Sequence, residues 1–234
     1  MTIRRFLLTG VMTALGVLSI PALSEAVTLH KLSSDQEMND LMHNIAFVAE
    51  GRIGDLGGPA THELNLHESD PGKPDITAHY SWGNERTDTF ILAYDAPSGW
   101  VNFSIGGETI SHVYTDSFSD IFVRTRAVDA QSQIRVDNLQ LDGVMLDGFS
   151  HAIAETGGLD ILHIAGVTTS FLLFGQATMS WLSEAPPPTQ ARLAFQIKVS
   201  EGNDSDTPPQ GVPEPSAIAS FVLLGLGGIL SRRQ

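Results

Sequence analysis

His62-Glu63 followed by His67 places two imidazoles and a carboxylate close together, residue types that can hold zinc. A zinc-dependent protease, however, presents His-Glu-x-x-His on one helix face. Here the second His falls one residue too far along, in a stretch that alternates like a strand, which sends His62 and His67 to opposite faces. Asp137, Asn138 and Asp142, with Asp147 nearby, offer oxygen ligands for calcium, although not at EF-hand spacing, and both Asp-Gly pairs also read as turns. Structural calcium at Asp137, Asn138 and Asp142 is the one cofactor reading these residues support; otherwise no cofactor is expected. Gly51 to Gly58 is glycine-rich but lacks the Lys-Ser/Thr of a phosphate loop and has no helix signal after it, so it reads as a strand end plus turn. No Gly-x-Ser-x-Gly elbow is present, and the absence of cysteine excludes a thiol nucleophile, thiolate metal sites and disulfides.

Two further groups are candidates for binding. Tyr80, Trp82, Trp100 and Trp181 have aromatic faces of the kind that stack on a pyranose ring, with Trp82 and Trp100 the carbohydrate-stacking candidates; against this, strand aromatics are commonly core. Arg124 and Arg126 lie two apart on one strand and share a face, placed to pair with surface acids or to meet an anionic polysaccharide. Carboxylates are so numerous that a glycosidase-type pair can be drawn at many places, so their abundance identifies none. No catalytic residue is assigned.

The elements that must position these residues follow from periodicity. Ser34-Asp35-Gln36-Glu37 is a capping-box pattern, and Met38, Leu41, Met42 and Ile45 recur at helical spacing, predicting a short amphipathic helix over Asp35 to His43. The period then changes to two. Strands are predicted at 45–53, 76–82, 87–94, 100–105, 110–114, 121–127, 133–141, 159–164, 171–181 and 192–199. Turn signals such as Pro97-Ser98-Gly99, Gly106-Gly107, Asp142-Gly143, Asp147-Gly148 and Gly157-Gly158 separate them, with Ile105-Gly106-Gly107-Glu108 reading as a two-residue hairpin. The expected fold is all-β, an antiparallel, jelly-roll-like β-sandwich with one short N-terminal helix.

Both ends of the 234-residue chain fall outside that fold. Residues 1–26 have a basic start (Arg4, Arg5), an apolar run from Phe6 to Ile20 and a polar exit, the layout of a secretory signal peptide with Ser24 and Ala26 at −3 and −1 of the cut. Residues 27–199 form the sandwich domain, and 200–211, all polar or Pro/Gly, read as a flexible linker. Residues 212–234 contain Val212-Pro213-Glu214-Pro215, an apolar run from Ala217 to Leu230, and Arg232-Arg233. This fourteen-residue run gives only about 21 Å of helix against a hydrocarbon core of about 30 Å, which suits a temporary stop, and the Arg pair keeps the tail's end cytoplasmic.

Pro213-Glu214-Pro215, this short hydrophobic helix and Arg232-Arg233 resemble the PEP-CTERM sorting signal of bacterial exosortase systems. The resemblance implies export through the secretion translocon, cutting by signal peptidase, and transient insertion in the inner membrane, where the C-terminal helix tethers the precursor. It further implies recognition by an exosortase-type membrane transpeptidase, then delivery to the cell surface or extracellular polysaccharide. A second resemblance spans most of residues 44–200. Phe47 to Gly54, Phe118 to Ala127, Gly158 to Leu162 and Leu193 to Val199 are similar to the choice-of-anchor W domain, found on surface proteins with alternative sorting signals, which implies no reaction.

Composition agrees with such a destination. The net charge is −14, from 13 basic and 27 acidic residues, and removing both ends takes away four Arg and two Glu, leaving −16 on residues 27–211. That argues against phosphate-backbone binding, so no nucleic-acid partner is expected. The function expected from sequence is an exported surface or extracellular-matrix protein with a structural or binding role. A secreted polysaccharide-acting hydrolase and a lectin-like carbohydrate-binding module are the alternatives.

Overall fold

A computed structural model describes residues 27–42, 44–53, 62–68, 75–167, 169–185 and 188–202. Ser24 and Ala26, expected to flank a signal-peptide cut, Pro213, Glu214, Pro215, Arg232 and Arg233, expected to form a sorting signal, and His43 lie outside the described residues. So does the apolar run Ala217 to Leu230. Among the described residues no helix is long and apolar enough to cross a membrane.

The described chain runs β1 (Thr28–Leu32), α1 (Asp35–Leu41), β2 (Ile45–Ile53), β3 (His62–His67), β4 (Ile76–His79), β5 (Thr87–Asp95), β6 (Trp100–Ile105) and β7 (Glu108–Val113). It continues with β8 (Phe118–Ala127), β9 (Gln133–Leu141), β10 (Val144–Met145), β11 (Ser150–Ile153), a 3-10 turn at Ala154–Thr156, β12 (Leu159–Ala165), β13 (Phe171–Ser180) and β14 (Leu193–Glu201). Two antiparallel sheets result. The first has the order β1-β12-β8-β14-β2-β3-β4, and the second β10-β9-β13-β5-β6-β7 with β11 also on β9.

The pairing order identifies the topology. β2 pairs with β14 in the first sheet, β5 with β13 in the second, β8 with β12 in the first, and β9 with β11 in the second. A long hairpin whose paired arms alternate between two facing sheets is a jelly roll. The remaining strands extend it as short meanders: β3 and β4 beside β2, β6 and β7 beside β5, β1 beside β12.

Alternation places one side of each strand between the sheets. Phe195 and Ile197 of β14 and Phe90 and Leu92 of β5 belong to one buried core, in which the Phe90 and Phe195 rings lie 5.5 Å apart across the layers. Each such large side chain removed from water contributes about 1.5–3 kcal/mol. With no cysteine, this burial carries the stability that disulfides supply in many exported domains.

The two Gly-containing hairpins form as their sequences require. Ile105 pairs with Glu108 around Gly106 (φ +57°) and Gly107 (φ +98°), and Leu141 pairs with Val144 around Asp142 (φ +51°) and Gly143 (φ +80°). Left-handed φ at both central residues is the type I′ geometry that matches strand twist.

Other boundaries differ. The predicted strand 76–82 ends at His79, because beyond it Tyr80 and Trp82 enter the core as a T-shaped pair 4.9 Å apart. The helix ends at Leu41, and β14 runs on through Ser200 and Glu201, two residues into the segment read as linker. The helix start also departs from a reciprocal capping box. Ser34 Oγ accepts from Glu37 N at 3.1 Å, but the Glu37 carboxylate reaches past Ser34 to accept from Ser33 N at 2.8 Å.

Candidate functional site

The outer face of the first sheet is not a bare solvated surface. On β8 and β12 the outward Phe122 and Ile161 are covered by Leu32, Met38 and Met42, so α1 lies on this face. Arg124, also outward on β8, clasps Asp35 at the helix start through two bonds, Nε to Oδ1 at 2.6 Å and Nη2 to Oδ2 at 2.8 Å. This hydrogen-bonded pairing holds the Asp35 carboxyl below the usual carboxylate range. Of the two arginines singled out by sequence, Arg124 is therefore an ion-pair residue. Exposed Arg126 lines, with Asp35 and Arg124, an open cavity of about 470 Å³ and has no ion-pair partner among the described residues.

Further along this face a polar row is deeply buried. Register sets Glu50 of β2 between Gln196 of β14 and Asn65 of β3, with Arg52 beside Glu63. Arg52 Nη1 lies 3.4 Å from Glu50 Oε2, and Arg52 Nε donates to Glu63 Oε2 at 2.5 Å. Gln196 Nε2 donates to Glu50 Oε1 at 2.9 Å, while Glu50 and His67 are each 2% exposed. His67 Nε2 lies 4.0 Å from Glu50 Oε2, too far for a hydrogen bond, and burial pushes the imidazole below its ordinary pKa, so it is neutral near pH 7.

Two carboxylates with one arginine between them form a structural ion network. A glycosidase pair instead leaves its carboxylates facing across a cleft where a sugar sits. Sequence reasoning named His67 but missed Glu50, Arg52 and Asn65. Their positions read as ordinary outward strand residues, and only the register brings them into one row.

The calcium candidates are each engaged elsewhere. Asp137 Oδ2 accepts from Arg135 Nε at 2.6 Å, Asn138 Nδ2 donates to Gln176 Oε1 at 2.6 Å, and Asp142 Oδ1 accepts from Leu172 N at 2.8 Å. Among the described residues no three or more His, Asp or Glu side chains are grouped to hold a metal ion. Asp137 and Asn138 lie at a bulge where β9 and β13 shift register, and Asp142 lies in the type I′ turn.

The aromatic candidates separate. Trp82 is 4% exposed, and its Nε1 donates to Arg52 O at 3.0 Å, which makes it a core residue rather than a stacking surface. Its face is covered because the chain turns inward after His79. Tyr80 is buried and Trp181 half-buried. Trp100, on the outer face of the second sheet, is 44% exposed, and its Nε1 donates to Asn102 Oδ1 at 3.0 Å.

No protein-family model matches the chain, and no curated protein matches it either.

Proposed function

We propose that this protein is an exported component of the cell surface or extracellular matrix, sorted by its C-terminal segment and acting by binding or by structural presence. One observation carries the reading: the order of segments along the chain. A basic, apolar and small-residue start precedes the jelly roll, and a polar stretch, Pro213-Glu214-Pro215, an apolar run and Arg232-Arg233 follow it. That order resembles an exosortase substrate, and an acidic, disulfide-free sandwich suits a folded cargo that stays soluble once released. The Glu50 and Glu63 carboxylates on the first sheet are both tied to Arg52, and no reaction is assigned to them. The chemistry open to the protein on this reading is recognition.

Fractionation with mass spectrometry of the mature termini tests it. The wild-type protein is expected to begin at Val27, to lack the tail and to reach the surface. The triple variant Pro213→Ala, Glu214→Ala, Pro215→Ala is expected to keep Gln234 and remain in the inner membrane. An intact Met1, or an intact Gln234 with unchanged localisation in both proteins, overturns the proposal.

A further inference from the structure

In a chain of net charge −14, the outer face of the second sheet carries two adjacent rows without an ionisable side chain. Its β6–β7 side presents short hydrogen-bonding groups: Asn102 opposite Ser111, and Ser104 opposite Thr109. Continuing the same rows, the β5, β13 and β10 side presents Ile91, Leu172, Phe174 and Met145, of which Ile91, Leu172 and Met145 are exposed. Trp100 stands at the end next to Asn102.

This arrangement is preorganised. Asn102 Oδ1 accepts from both Trp100 Nε1 at 3.0 Å and Ser111 Oγ at 2.7 Å, which fixes the indole and aims the amide. No described residue accepts from Asn102 Nδ2, so both of its N–H groups are free for a ligand. Ser104 and Thr109 hydroxyls share one hydrogen bond at 2.8 Å, which leaves the second hydroxyl hydrogen and the remaining lone pairs uncommitted between them.

We propose that this face binds a neutral polysaccharide chain, with Trp100 stacking on one sugar ring and Asn102 donating to its hydroxyls. The inference rests on the surface-protein reading above and names the ligand class for it. A neutral sugar is the occupant whose chemistry fits, since it pairs apolar C–H faces with hydroxyls, as this surface pairs apolar side chains with hydroxyls and amides. A polyanion finds no cation in these rows and meets Asp95, opposite Trp100, and Asp142, beside Leu172, at their margins. A second copy of the chain brings the same excess of negative charge, which opposes self-association.

The test uses the mature exported protein in affinity electrophoresis through gels containing cellulose-type glucan, starch or mannan, with a polyuronate as control. Retention by at least one neutral polymer is expected, unchanged when salt is raised and absent on the polyuronate. Trp100→Ala is expected to weaken retention at least about tenfold, the loss of one aromatic stacking contact. Asn102→Ala is expected to weaken it with an unchanged melting temperature. Retention by no neutral polymer, retention abolished by salt, or equal retention of Trp100→Ala overturns the inference. A dimer dissociated by Trp100→Ala overturns it in favour of a self-interface. Correct surface delivery of Trp100→Ala separates failure of the binding face from failure of the sorting proposal.

Discussion

Gly51, in the middle of β2, lies directly against the ring of Phe195: a Cβ on Gly51 would fall 2.5 Å from Phe195 Cε1 and 2.8 Å from Trp82 Cζ2. The glycine is where two strands of the first sheet and an incoming indole share one volume. Gly51→Ala is expected to force apart a close-packed site at a cost of about 1–3 kcal/mol. Calorimetry should show a melting temperature lowered by about 2–4 °C for each kcal/mol. An unchanged melting temperature would show that Phe195 can move aside.

Asp142 holds the β9–β10 turn to the edge of β13 by two bonds, accepting from Leu172 N through its carboxylate and donating from its own N–H to Leu172 O at 2.9 Å. It does so in a left-handed conformation that most side chains disfavour. Asp142→Ala is expected to cost about 1–2 kcal/mol in chemical denaturation, because it combines that strain with a lost hydrogen bond. Asp142→Asn, which keeps an acceptor and tolerates the conformation, should cost less. Equal losses for the two variants would remove the carboxamide-sized acceptor from the explanation.

Acid should loosen α1 before it disrupts the sandwich. Asp35 is held below its ordinary value of 3.8 by Arg124. For a carboxylate with a depressed folded pKa, the unfolded chain takes up the proton first, so the contribution is complete above 3.8 and disappears as pH falls through the lower folded value. Hydrogen exchange of the α1 amides should accelerate over that window in the wild type and be already fast in Asp35→Asn. The pair is partly exposed, so its loss should cost no more than about 1 kcal/mol.

His67 gives a second pH dependence at milder acidity. Burial keeps the imidazole neutral in the fold, whereas the unfolded chain protonates near 6.5. Stability from this group is therefore complete above 6.5 and declines as pH falls below it, with the folded state binding fewer protons. The nearby charges facing His67 are Glu50, which opposes the shift, and Arg52 and Lys198, which reinforce it. Denaturation midpoints should fall as pH drops below 6.5, and His67→Leu should flatten that slope. A slope that persists in His67→Leu would assign it to another group.

All three tyrosines should resist alkaline titration. Burial is the leading cause in each case, pushing Tyr80 up to about 12 and raising Tyr94 and Tyr114, with the Asp88 and Asp75 carboxylates adding to Tyr80 and Tyr114. Phenolate absorbance at pH 10 should be weaker in the folded protein than in the unfolded chain and should rise with unfolding. The sign follows from the raised folded values: the unfolded chain ionises near 10, so stability is lost as pH rises beyond that point.

Much of the architecture was written into local patterns. Period-two alternation located the long strands, because a half-buried strand must present apolar groups to one side only. Asp and Gly at left-handed positions located the hairpin at Gly106-Gly107 and the turn at Asp142-Gly143, because few residues adopt that conformation without strain. The short strands β1, β10 and β11 were not legible. Their four or five residues or fewer carry too little alternation, and they are strands because a longer neighbour offers its edge.

What the sequence alone determined is thus the class of fold, its turns, the cysteine-free acidic character and the segment order at the two ends, all of which depend on residue type and near-neighbour spacing. Which tryptophan is core and which is exposed was decided only by tertiary structure. Trp82 and Trp100 both sit in strand-like contexts, yet the chain bends inward at Tyr80 and remains extended at Trp100. The same holds for the buried row around Arg52. Glu50, Glu63 and Asn65 become neighbours through strand register, a long-range property fixed by which face of each strand the core demands.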